Sequence, residues 1–126
     1  MKNFMASWGL VILSALLDSY AALIVKMKFN ELGPLDYSSL SGFLKYLSLF
    51  VRSPLLVTAL LAFVTAPALW FLALNKLDLS VGYPALVGFH LVFIMIFGLF
   101  LLGEPVTAGK LIGAGLVMVS FYFLNR

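Results

Sequence analysis

The chain reads as an all-α membrane protein, a bundle of four transmembrane helices with an amphipathic helix ahead of the second span. Three observations carry that reading. Of 126 residues, 63% are hydrophobic and only 10% charged. The mean hydropathy of +1.13 exceeds what a water-soluble domain with a polar surface sustains. The apolar residues also fall into four stretches, each close to the about 20 residues that cross about 30 Å of hydrocarbon. Together they form a single domain over residues 1–126.

The first span is expected over about 5–27, with Lys26 and Lys28 snorkelling to the interface at its end. It follows Met1-Lys2-Asn3-Phe4 as a signal peptide would, but its length, its internal Asp18 and the lack of a small-x-small cleavage site predict that it is retained. The segment Asn30-Glu-Leu-Gly-Pro-Leu-Asp36 is expected to break the helix. In residues 38–52, Leu40, Phe43, Leu44, Leu47, Phe50 and Val51 recur at helical spacing opposite Ser41, Lys45, Ser48 and Arg52. Such a helix either lies in the membrane interface or extends the second span outside the membrane.

Ser53-Pro54 marks the start of the second span, about 54–76, as a capping residue followed by proline at the first helical position. Pro67 within it removes a backbone hydrogen bond and predicts a kink. The third span, about 79–102, holds Pro84 in its early turns and His90 near its centre, and Gly103-Glu104-Pro105 ends it. The fourth runs over about 106–124 and carries Gly109, Gly113 and Gly115 on its first half. Trp8, Trp70, Tyr122 and Phe123 fall near span ends, where amphipathic rings settle at headgroup level.

Asp18 is the leading functional candidate. A carboxylate at bilayer depth costs about 2.5–3.5 kcal/mol, so such groups face a bundle interior or a wet cavity. It can bind a proton, a protonated amine or another cation. The plainer alternative is a protonated carboxyl held by Ser14, Ser19 or a neighbouring helix as structural polar glue. His90 is the one histidine, and its mid-span position offers a proton partner or a donor to substrate. Tyr20 and Tyr83 are candidates to line the same cavity, each with a hydroxyl for a polar substrate; packing is the alternative for both.

With no cysteine and a lone histidine, a metal centre or thiol chemistry has no ligand set. Neither a nucleotide-binding loop nor a catalytic triad is present, so neither an enzyme nor a bound cofactor is expected. The net charge of +3 is spread without a basic cluster, which points to anionic membrane lipids rather than nucleic acid. Lys2, Lys76 and Arg126 would share one side of the membrane, and Lys26, Lys28, Lys45, Arg52 and Lys110 the other. The positive-inside rule then favours both termini outside the cytoplasm by a small margin, and dual topology stays open.

Gly109-x-x-x-Gly113, with Gly115 adjacent, leaves a face on the fourth span where another helix can approach closely. Four spans enclose little volume, so a cavity crossing the bilayer forms more readily between two protomers.

These residues resemble the four-span members of the drug/metabolite transporter superfamily: the small multidrug resistance exporters and the aminoarabinose-phosphoundecaprenol flippase subunits. The resemblance covers nearly the whole chain. In the exporters a first-span carboxylate precedes a lysine by eight residues, as Asp18 precedes Lys26, although theirs is a glutamate that binds protons and cationic substrate alternately. Leu79-Ser-Val-Gly-Tyr83-Pro84, Gly103-Glu104 and Leu111-Ile-Gly113 are similar to the third-span entry, loop and fourth-span dimerisation face. Tyr83 falls on the exporters' tyrosine, but Leu86 stands where they carry tryptophan, and Gly88-Phe89-His90 where they carry Gly-x-Gly. Tyr83-Pro84, Gly103-Glu104-Pro105-Val106 and the amphipathic insertion are similar to the flippase subunits, of which Asp18 is not typical.

The resemblance implies a homodimer, or a heterodimer with a similar subunit, in the bacterial inner membrane that moves its substrate by alternating access. The leading expectation is a polyprenyl-phosphate-linked sugar, its amine paired with Asp18. One alternative is a proton-coupled exporter of organic cations; another is a partner subunit that does not itself transport.

Overall fold

The structure, a computed structural model, describes residues 2–34 and 38–124. They form five helices and no strand: α1 (Lys2–Leu32), α2 (Leu40–Arg52), α3 (Pro54–Leu74), α4 (Leu79–Phe100) and α5 (Ala108–Leu124). Helices α1, α3 and α4 are long and apolar enough to cross a membrane. At 17 residues the apolar α5 is shorter, about 25 Å at 1.5 Å per residue. Arg126, and Leu35 and Asp36 of the expected break, lie outside the described residues.

Helix α1 runs further than its charges suggest. Asn30 and Glu31 stay helical, and Lys28 donates to Glu31 at 2.6 Å one turn on, a pairing that supports a helix end standing in water. The helix stops at Gly33, whose φ of +85° few side-chain-bearing residues adopt. Polarity moves a helix out of the membrane, but here only backbone freedom ends it.

Ser39 caps α2 by accepting from the Gly42 N–H at 3.1 Å. Tyr46 then ties α2 back to α1: its hydroxyl donates to the Gly33 carbonyl, and its ring meets Phe29 at 6.1 Å. Ser53 is extended, so α2 is a separate helix and not a continuation of α3. No residue of α2 is buried; Leu40, Phe43, Leu44, Leu47 and Val51 leave their apolar face uncovered, while Phe50 packs on the core. Pro54 takes the first position of α3, as expected, but Ser53 makes no side-chain cap bond.

Helix α1 is the central element, packed against α3 along one side and α4 along the other, while α3 and α4 touch each other little. Small residues make the α1–α3 approach close. Ala59, Ala62, Ala66 and Ala73 form one buried stripe of α3, met on α1 by buried Ser14, which bonds Ala66, and by Ala21. In a membrane, where lipid tails already solvate apolar side chains, such small faces drive helix packing through van der Waals contact.

Two apolar clusters result. One gathers Ala21, Ile24, Leu56, Ala59 and Ala62; the other gathers Val11, Trp70, Ala73 and Ala85 toward the opposite end of α1. Trp70 is therefore core: it is 9% exposed and lies over Gly82, which corrects the expectation of an interface ring. Trp8 stacks edge-on against Phe121 at 5.9 Å, so the start of α1 and the end of α5 share one end of the bundle.

Candidate functional site

Asp18 sits between the two clusters on the α4-facing side of α1, and its partner there is His90. The carboxylate Oδ2 lies 2.9 Å from the imidazole Nδ1, and both side chains remain about one-third exposed, at 37% and 33%. An ion pair or charge-assisted hydrogen bond of this length holds a polar group in an apolar bundle at much lower cost than either partner alone. No third His, Asp or Glu joins them in a metal-binding group among the described residues.

The serines beside Asp18 serve the backbone instead. Ser14 donates to the Ala66 carbonyl of α3 at 2.7 Å, immediately before Pro67. Ser19, fully buried, donates to Ala15 at 2.7 Å, with its oxygen 3.5 Å from the His90 carbonyl. Neither holds the carboxyl; of the partners the plainer reading of Asp18 allows, the one in contact is the neighbouring helix, through His90. The serines lock the helices around it and leave the carboxylate to His90 and the cleft.

Two cavities meet at Asp18. A smaller one of about 180 Å³ is lined by Ser14, Asp18, Ala66, Pro67, Trp70, Tyr83 and Leu86. Its walls include two aromatic rings, Trp70 and Tyr83, with centroids 6.2 Å apart. The larger, an apolar trough of about 500 Å³, runs from Asp18 past Phe63, Leu60 and Phe50 to Phe29 and Lys26. Lys26 also borders a third cavity of about 160 Å³ that reaches Glu104. One strip of α1 thus presents a carboxylate and an ammonium to a continuous cleft.

Of the four residues singled out in the sequence, the structure brings three together: Asp18, His90 and, across the small cavity, Tyr83. Tyr20 is elsewhere. Two residues on from Asp18, it points about 200° round the helix, packs on the α1–α3 core and shares a hydrogen bond of 2.8 Å with Thr58. It lines none of these cavities, which corrects the expectation that it shares one with Tyr83. Gly109 and Gly113 line a groove of about 480 Å³ between α4 and α5, and a side chain added at Gly113 or Gly115 would meet nothing within 4 Å. The sequence reading missed the Trp70 wall and the alanine stripe that sets it. The signal was there, alanine at three- and four-residue intervals through an otherwise bulky α3.

Residues 38–119 match the Small Multidrug Resistance protein family. The chain belongs to that family. The match spans α2 to α5 and leaves out α1 with Asp18. A probable 4-amino-4-deoxy-L-arabinose-phosphoundecaprenol flippase subunit ArnF of Enterobacter sp. is 34% identical over 90% of this chain and 87% of its own length. The ArnF of Erwinia tasmaniensis is 38% identical over 83% of each. A flippase subunit ArnE of Pseudomonas syringae is 34% identical over 46% of this chain and 53% of its own. No solved structure matches. Small multidrug resistance membership and the apolar helices together make this chain a small, multi-pass bacterial membrane transporter.

Proposed function

We propose that the protein is one half of a dimeric four-span transporter that flips a polyprenyl-phosphate-linked aminosugar across the inner membrane by alternating access. The observation that carries the proposal is the Asp18–His90 pair at 2.9 Å, set where a small cavity walled by Trp70 and Tyr83 meets an apolar trough. A sugar ammonium entering the cleft competes with His90 for the Asp18 carboxylate. Tyr83 faces the sugar from the opposite wall, and the prenyl chain stays along the trough. Helix α5, with its apolar flank at Val106, forms the fourth span, and the uncovered face of α2 lies in the membrane interface. Two relatives of nearly the chain's own length are called probable subunits of a flippase for such a lipid, which supports the reading.

One observation favours a second reading, proton-coupled export of organic cations. Although Leu86 replaces an aromatic ring, Trp70 and Tyr83 flank Asp18 with two others, and aromatic faces attract cations. Binding to the purified protein separates the two. Selective binding of the aminosugar lipid, lost in Asp18→Asn, supports the flippase. Binding of organic cations with proton release supports the exporter, and binding of neither leaves a non-transporting partner subunit.

A further inference from the structure

We propose that Lys26 is a second charged subsite of the same cleft, one that takes the phosphodiester of an amphoteric lipid whose sugar amine pairs with Asp18. The inference rests on the transport reading above and adds to it a residue and a charge.

Lys26 stands apart from its neighbours in charge. Lys28 pairs with Glu31 at 2.6 Å, and Lys110 lies 3.8 Å from Glu104. Lys26 makes no ion pair among the described residues. Glu104 borders the third cavity together with Lys26 but lies 3.8 Å from Lys110, its nearest cation. The Lys26 ammonium therefore faces the trough with its positive charge uncompensated, at the end of the span where lipid phosphates lie. An ammonium binds phosphate as a compact point charge.

The spacing to Asp18 places both charges on one wall of the cleft. Eight residues of helix rise about 12 Å and return to within about 80° of the same face, and both side chains line the trough. The four-carbon stem of Lys26 lets its ammonium meet a phosphate in the trough while an amine on the same lipid sits at Asp18. A neutral sugar leaves Asp18 without a partner in exchange for His90. The trough beyond, walled by Leu60, Phe63 and Phe50, offers the first isoprene units an apolar surface beside the head.

The test measures binding of two probes to the purified full-length protein: a polyprenyl monophosphate without sugar, and the same lipid carrying an aminosugar. Lys26→Gln is expected to weaken both by about tenfold or more. Lys26→Arg, which keeps the charge, stays within about threefold of the parent and shows that the site is folded. Lys28→Gln binds as the parent does, because that lysine is already paired. Asp18→Asn weakens only the aminosugar lipid. If the parent binds the aminosugar lipid and Lys26→Gln binds it equally well, the subsite is wrong and the transport reading survives. If phosphatidylglycerol vesicles displace either probe as well as the polyprenyl lipid does, Lys26 is an ordinary headgroup contact and the proposal falls. If the parent binds neither probe, both readings fall.

Discussion

At Asp18 the carboxylate and the His90 imidazole replace for each other part of the water both lost on entering the bundle. Their roles differ once an amine arrives, because the ammonium needs the carboxylate and displaces the imidazole. Asp18→Asn should therefore weaken binding of the aminosugar lipid by at least about tenfold, about 1.4 kcal/mol. His90→Ala should weaken it less than Asp18→Asn does. Calorimetric titration of both variants checks the order, and a larger loss at His90 would place the binding charge elsewhere. Two buried glycines of α4 make a second contrast. A Cβ at Gly82 would come within 3.2 Å of the Trp70 ring, and one at Gly98 within 3.2 Å of the Glu104 carboxylate. The Trp70 ring is wedged among helices, whereas the Glu104 tip can swing aside. Alanine gains about 1 kcal/mol of helix propensity over glycine, and overpacking costs about 1–3 kcal/mol. Gly82→Ala should lower the thermal midpoint in detergent, and Gly98→Ala should leave it level or raise it.

Between elements, Tyr20 links α1 to Thr58 of α3 at 2.8 Å. Tyr20→Phe keeps the ring in its cluster and loses one interhelical hydrogen bond, worth about 0.6–1.7 kcal/mol in a membrane. Stability should drop by about that amount with lipid binding unchanged. A binding defect without loss of stability would return Tyr20 to the site. The same residue shows what the sequence makes legible. Hydropathy and the Ser53-Pro54 start mark α3, and apolar periodicity marks α2, because those signals are local. Asp18 and His90 each stand out alone, as polar groups in apolar runs. Their pairing across 72 positions depends on how α1 and α4 dock, and small residues such as Ala85, buried in one cluster with Val11 of α1, carry no chemical flag. Tyr20 and Tyr83 look alike in sequence, and only the rotation of α1 separates them. Trp70 looked like an anchor because it lies near a span end, but a glycine on the facing helix draws it inward.

For the whole molecule, the open side of the cleft and the bare face of α5 raise the same question. Helix α5 packs mainly on α4, reaching α1 through Trp8 and Phe121, and Leu111, Ile112, Val119 and Phe123 are exposed. Exposed apolar side chains need no partner in lipid, since hydrocarbon covers them as well as protein does. Unfilled glycines are different. Among the described residues nothing lies within 4 Å of a side chain added at Gly113 or Gly115, and lipid tails fill such notches less closely than a second helix can. A cleft bounded by α1, α3 and α4, with α3 and α4 barely touching, likewise lacks a wall that a second protomer would supply. The parent protein in mild detergent is therefore expected to have the mass of two chains. The double variant Gly113→Leu/Gly115→Leu should have the mass of one, with helical content by circular dichroism unchanged and transport lost. Light scattering with transport into vesicles checks both. A parent that is monomeric yet transports, or a double variant that stays dimeric, would move the interface away from α5 and require another element to close the cleft.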